Sequence, residues 1–237
     1  NKNFDDLKFR KIKNFLKKIK SKNLTEFEAL KVFKNIGINT VESHVISNIA
    51  NAKELTKKTG FPLVMKVISS QIQHKTDMGG VELNITSNED LQIRYKKLFK
   101  VFQKLKIEGD QKQFLIQKME TGIAELILGY RVDELVGPIV VVGIGGIFSE
   151  VYDDKAIRIA PVDLNEAKTM ISEVKSFVIL RGYRGLPKAD IDILARAIVD
   201  ISQLAFVTEI KEAEINPIVI KVKNDGIVAV DGLVTLN

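Results

Sequence analysis

Residues 61–84 read FPLVMKVISSQIQHKTDMGGVELN. From Phe61 to Ile68 both alternating faces are apolar, with one exception, Lys66. A strand apolar on both faces belongs at the centre of a sheet. A lysine there loses its hydration, and that cost is offset only where an anion meets it. Phosphate is a natural counter-charge; a lysine snorkelling from a strand end is the plain alternative. Val81 to Ile85 alternates and reads as the next strand. The loop between them ends in Gly79-Gly80. Such a pair lets backbone approach a ligand and turns N–H groups toward anions, though it also makes ordinary turns. The loop carries His74, one of 2 histidines, among Lys75, Thr76 and Asp77.

Upstream, Phe4, Leu7, Ile12, Phe15, Leu16 and Ile19 recur at helical spacing between lysines, the pattern of an amphipathic lead helix. Thr25 and Glu28 form a capping box, and Gly37 closes the helix it opens. A short strand at Val45-Ile46 and a helix from Ala50 to Thr59 follow. Downstream, Ser87 with Asp90 opens a helix to about Leu105, and the polar run Glu108 to Lys112 reads as a boundary. Strands are expected at Phe114–Met119, Ala124–Leu128, Ile139–Val142, Phe148–Tyr152 and Ala156–Ala160. Asp163 with Glu166 caps a helix, Gly182–Gly185 is a turn-rich link, and Ala189–Phe206 is helical. The last strands are Glu212–Ile215, Ile218–Val222 and Ile227–Val230, with an Asn224-Asp225-Gly226 turn between the last two. No regular βαβ alternation runs through this order. It predicts an α+β protein of two lobes: a lead helix over 1–23, an N-terminal lobe over 24–112 and a C-terminal lobe over 113–237.

The chain has 237 residues, enough for a sizeable core. It has no cysteine, which excludes disulfides and thiolate metal sites. Its apolar runs are strand-sized, and its start lacks the apolar segment of a secretory signal, so a cytoplasmic protein with no membrane span is expected. The net charge is +6, with lysine densest between Lys2 and Lys22. No Trp and no interleaving of aromatic with basic residues accompany that charge. A solvated helix face is expected rather than a nucleic-acid platform.

Two further places break local rules. Gly143-Ile144-Gly145-Gly146 follows an apolar strand but leads into another strand, so it is not a dinucleotide fingerprint; a phosphate- or partner-contacting turn is the functional reading. Glu150 interrupts the strand after it. Near the end, Glu214 and Asn216 share one strand face, and Asp231 ends a neighbouring strand. Oxygen ligands at strand ends suit Mg²⁺, which completes its shell with phosphates and water. Turn chemistry at Asn-Pro and Asp-Gly explains the same residues without a metal.

In this order, these residues resemble the ATP-grasp fold. More narrowly, the chain resembles the ATP-binding β subunit or domain of ADP-forming acyl-CoA synthetases. The segments that carry the likeness are LTEFEALKVFKNIGI, FPLVMKVISSQIQHKTDMGGVELN, GPIVVVGIGGIFSEV with IRIAP, and GYRG…EAEINPIVI…VAVDG. The resemblance implies two α+β lobes with nucleotide bound between them. It implies a reversible reaction in which acyl-CoA, phosphate and ADP give free acid, CoA and ATP through phosphohistidine. It makes His74 a phosphate relay and puts Glu214 against a phosphohistidine arriving from a CoA-binding α subunit. Lys66, Gly79, Gly80, Gly145 and Gly146 would contact phosphates. Gln117, Lys118 and Met119 would lie against adenine, Glu125 would reach ribose, and Asn216 with Asp231 would hold Mg²⁺. A heterotetramer with the α subunit is implied, and the chain is expected to be inactive alone because it holds no CoA-binding part. Succinyl- or malate-CoA ligase β subunits and a non-catalytic ATP-binding module of a larger protein are the neighbouring readings. One departure stands out: the family often closes with Asp-Ala-Arg, whereas Asp231 is followed here by Gly232 and Leu233, as Asp-Gly is in succinyl-CoA synthetase.

Overall fold

The computed structural model describes residues 2–68, 78–104, 113–145, 154–185 and 187–237, with side chains from residue 7 onward. In chain order the elements are α1 (Lys2–Leu16), α2 (Glu26–Ile36), β1 (Ser43–Ile46), α3 (Ile49–Thr59), β2 (Leu63–Ile68), β3 (Val81–Ile85), α4 (Asn88–Lys104) and β4 (Gln113–Lys118). They continue with β5 (Ala124–Asp133), β6 (Gly137–Ile144), β7 (Lys155–Ile159), α5 (Leu164–Glu173), α6 (Ile191–Ser202), β8 (Ile210–Ile220), β9 (Ile227–Ala229) and β10 (Gly232–Leu236). Among the described residues no helix is long and apolar enough to cross a membrane.

Two compact units form: Val41–Glu120, and Asn1–Thr40 with Thr121–Asn237. These bounds differ from the division at 112/113 read from the sequence, for a pairing reason. β4 hydrogen-bonds between β1 and β2, so it belongs to the first sheet rather than to the second lobe. α2 packs on β10, and the Leu24 N–H donates to the Val234 carbonyl at 2.9 Å, so residues 24–40 go with the C-terminal part of the chain.

The unit Val41–Glu120 is built on an antiparallel sheet in the order β1-β4-β2-β3. β2 is therefore central, and all of its residues are buried, as its two apolar faces predict. Leu63, Met65, Val67, Phe114, Ile116 and Ile85 turn to one side and pack with Leu91, Leu98 and Phe102 of α4. The Phe102 and Phe114 rings meet edge-on at 5.1 Å. Each fully buried side chain of this size contributes about 1.5–3 kcal/mol. α4 starts where Ser87 Oγ accepts from the Asp90 N–H at 3.1 Å. It is pinned to β3 by Glu82, which is buried and pairs with Arg94 at 2.6 Å and Lys97 at 2.5 Å. Burial pushes the Glu82 carboxyl up, but hydrogen bonds from Lys97 and Arg94 outweigh it and hold the group below the usual carboxylate range.

The second unit carries a sheet in the order β10-β8-β5-β6-β7, with β9 also paired to β8. Every strand pair in it is antiparallel. Ala213, Ile215, Leu128, Tyr130, Val140, Val142 and Ala156 are buried. They lie on the face against which α5 and α6 pack. The Thr25–Glu28 capping box forms as read, with both reciprocal bonds, and Gly37 closes α2 at φ 110°. Asp163 caps α5 by accepting from the Glu166 N–H at 2.8 Å.

Three readings are corrected here. The two strands expected at Glu212–Ile215 and Ile218–Val222 are one strand, β8, which runs through Pro217 and changes partner there. Proline lacks an N–H, but its carbonyl still pairs, accepting from the Val230 N–H at 3.3 Å. β10 was not anticipated, because its pairing with β8 is long-range. β5 extends to Asp133 rather than ending at Leu128, as one arm of a hairpin with β6. The expected strand Phe148–Tyr152 lies outside the described residues.

Candidate functional site

In the first unit, the β-ladder determines which side chains share a face. Lys66 pairs with Leu115 and Val81, Val64 pairs with Gln117, and Gln117 pairs with Ser43. Paired residues point to the same side of a sheet. Lys66, Gln117 and Ser43 therefore share the face opposite the α4 core, which takes Leu63, Met65 and Val67. Lys66 is 5% exposed and Gln117 is 2% exposed. Gln117 Nε2 donates to Ser43 Oγ at 3.2 Å. This partner, Ser43, was missed in the sequence because only the β1–β4 register brings it there.

The other expected contacts in this unit flank β2. Gly79 turns at φ 67°, and a Cβ built on it would meet nothing within 4 Å. The Gly80 carbonyl accepts from the Val67 N–H at 2.9 Å, so the glycine pair delivers the chain back beside Lys66. At the other end, the Met119 N–H donates to the Pro62 carbonyl at 3.0 Å, and Lys118 pairs with Leu63. His74, the expected relay, lies outside the described residues.

In the second unit, β8 presents Glu214 and Asn216 on the face opposite Ala213 and Ile215. Asn216 Nδ2 donates to Glu214 Oε1 at 3.5 Å. Asp231 occupies the step between β9 and β10, where β8 changes partners. Ile218 pairs with Ala229 on one side of it, and Ile215 pairs with Gly232 on the other. The Gly232 N–H donates to Asp231 Oδ1 at 2.7 Å. The partner change on β8 thus brings Glu214, Asn216 and Asp231 together. Among the described residues no group of three or more His, Cys, Asp or Glu side chains could hold a metal by itself. One carboxylate and one amide oxygen fit Mg²⁺ only in the manner usual for it, with phosphate oxygens and water supplying the rest of the shell.

Glu125 and Gly145 meet directly. The Gly145 N–H donates to the Glu125 carbonyl at 2.9 Å, and a Cβ on Gly145 would stand 2.4 Å from the Leu126 carbonyl carbon. This glycine is demanded by the approach of two strands. Its neighbour Gly146, and Glu150, lie outside the described residues.

A two-sheet α+β architecture with a buried strand lysine and an acidic strand end is that of an ATP-grasp domain, and the family model of that description matches residues 16–236. The chain belongs to the ATP-grasp family, in the branch of ADP-forming acyl-CoA synthetase β subunits. It is 36% identical to the acetate–CoA ligase (ADP-forming) I subunit beta of Pyrococcus furiosus, over 95% of this chain and 98% of that one. It is 38% identical to the 4-hydroxybutyrate–CoA ligase (ADP-forming) of Nitrosopumilus maritimus, over 92% of this chain but 32% of that protein. The chain thus spans about a third of some curated relatives and nearly all of others. The solved acetyl-coenzyme A synthetase 1 of Ca. Korarchaeum cryptofilum, in complex with coenzyme A, Ca-AMPCP and HgCl+, superposes with a TM-score of 0.85 at 30% identity, covering 98% of this chain and 99% of that one. Its form with coenzyme A and Mg-AMPPCP, phosphohistidine segment pointing towards the nucleotide binding site, gives a TM-score of 0.77 at 31% identity, covering 91% and 93%.

Proposed function

We propose that this chain is the nucleotide-binding component of an ADP-forming acyl-CoA synthetase, an acid–thiol ligase that makes ATP from ADP and phosphate at the expense of an acyl-CoA thioester. The observation that carries the reading is the gathering of Glu214, Asn216 and Asp231 where β8 changes partners. The near full-length likeness to a Pyrococcus β subunit supports it.

In this reading Lys66, Gly79, Gly80, Gly145 and Gly146 contact the phosphates of ADP. Gln117, Lys118 and Met119 border the adenine, and Glu125 reaches the ribose. A buried ammonium is a strong phosphate partner because little water competes for it. Asn216 and Asp231 would hold Mg²⁺, which when bound neutralises phosphate charge. Glu214 accepts a hydrogen bond from the imidazole of a phosphohistidine brought by a CoA-binding partner and orients that ring.

His74 takes the phosphoryl group from that ring. The partner's N–P bond breaks, a new N–P bond forms at His74, and a proton passes from the accepting ring to the leaving one. A β-phosphate oxygen of ADP then attacks the phosphorus; the His74 N–P bond breaks, the P–O bond of ATP forms, and the departing imidazole takes a proton from solvent. A neutral imidazole is nucleophilic near neutral pH, which suits the first step, and its phosphoramidate readily gives up the phosphoryl group, which suits the second. Overall, acyl-CoA, phosphate and ADP become acid, CoA and ATP. Assembly with the partner in the cytoplasm, as a heterotetramer or within one longer chain, completes the proposal.

The test supplies the full-length protein, with its CoA-binding partner, with acetyl-CoA, phosphate and ADP, and measures ATP. Phosphate- and acyl-CoA-dependent ATP is expected. Nucleotide binding with no ATP, in the presence of an authentic partner, would mark the chain as a sensing module instead.

A further inference from the structure

Gly232 stands between two groups that leave it no room. A Cβ built there would lie 2.4 Å from Cε2 of Phe33 and 3.1 Å from the Glu214 carbonyl oxygen. Phe33 belongs to α2 and is fully buried, so its ring has no solvent to retreat into. α2 itself is held to the same strand. Asn23 and Leu24, just before the helix, bond to β10, through a bridge to Thr235 and through the Leu24 N–H to the Val234 carbonyl at 2.9 Å. The helix and β10 therefore cannot separate without breaking those bonds.

Gly232 also transmits its position. Its N–H donates to Asp231 Oδ1 at 2.7 Å, and its register partner is Ile215, between Glu214 and Asn216. A displacement of the Gly232 backbone turns the Asp231 carboxylate and presses on the strand that carries the other two residues. We propose that Phe33 and Gly232 are a size-matched positioning pair that sets the metal-holding geometry of Asp231 and Asn216. This rests on the reading of those two residues as Mg²⁺ ligands given above. Neither member touches nucleotide or metal; both act through Asp231 and through the strand that carries Asn216.

The test compares the full-length protein with Gly232→Ala and with the double variant Phe33→Leu/Gly232→Ala. Three quantities are read: ADP binding as a function of Mg²⁺, ADP binding in excess chelator, and melting temperature. Gly232→Ala should raise the Mg²⁺ concentration needed for tight ADP binding by about tenfold or more, the scale of lost supporting contacts around metal ligands. Binding without Mg²⁺ should be unchanged. The shorter side chain in the double variant should restore the Mg²⁺ dependence of the parent. A folded Gly232→Ala protein with the parent's Mg²⁺ dependence, or a double variant that fails to restore it, overturns the pair. If Gly232→Ala does not fold, the double variant must fold and bind Mg²⁺ as the parent does; a double variant that is also unfolded overturns the pair. A parent protein whose ADP binding ignores Mg²⁺ removes the metal reading itself, a result separate from unequal or equal variants.

Discussion

The Gly145 amide donates to the Glu125 carbonyl at 2.9 Å, across a gap in which a Cβ on Gly145 would stand 2.4 Å from Leu126 carbonyl carbon and 2.7 Å from its oxygen. The atoms in the way are backbone, so no rotamer change relieves the overlap. Gly145→Ala should therefore destabilise the unit by about 1–3 kcal/mol, the usual scale of overpacking. Chemical denaturation measures it. Parental stability would mean that the backbone at Gly145 yields more easily than its hydrogen bond suggests.

Glu82 predicts a pH dependence. Its folded carboxyl is held below its ordinary range by Lys97 and Arg94, against the opposing effect of burial. The stability it adds is fully present above the unfolded carboxyl's pKa and is lost as pH falls through the lower, folded value. Arg94 and Lys97 are partly in solvent. Glu82→Gln should therefore cost about 1–3 kcal/mol at neutral pH, between the values for exposed and buried pairs. The gap between parent and variant should close at strongly acid pH in urea titrations. A gap independent of pH would assign the loss to packing.

For Asp231 the expected variant effect is specific to metal. Asp231→Asn should weaken Mg–nucleotide binding by about tenfold while leaving nucleotide binding in chelator unchanged. Calorimetric titration with and without Mg²⁺ separates the two. Equal affinity in both proteins would reduce Asp231 to the turn residue that its hydrogen bond from Gly232 also describes.

His74→Ala should nearly abolish net ATP formation and keep nucleotide binding. Single-turnover assays with labelled phosphate would also lose the phosphoryl label on this chain. Turnover near that of the parent would take His74 out of the relay.

The Phe33–Gly232 contact makes a comparative prediction as well. Relatives with alanine at the position of Gly232 should carry a residue smaller than Phe at the position of Phe33. An alignment in which Phe and Ala occur together without compensation would argue that the clash is easily absorbed.

The parts of this protein that were legible in its sequence are those decided by neighbours along the chain. The Thr25–Glu28 and Asp163–Glu166 caps, the Gly37 terminus and the Asn224-Asp225-Gly226 turn each depend on a few adjacent residues, and all form as read. The central place of β2 was legible too, because apolar residues on both faces require cover on both sides. Lys66 stood out against that background as a charge that needs a reason to be there.

Long-range pairing decided the rest. No local pattern tells β4 to insert between β1 and β2, so the division between the lobes was misplaced in the sequence. Nothing around Pro217 says that β8 continues and changes partner, or that Gly232–Leu236 pairs with it. Yet that pairing brings Asp231 beside Asn216 and Glu214. The glycines show the same divide. Gly79 is needed for its own backbone angle, which a turn motif signals. Gly145 and Gly232 are needed because Leu126 and Phe33 approach them in space. A side chain's room depends on what the fold packs against it, and that is known only once distant segments have met.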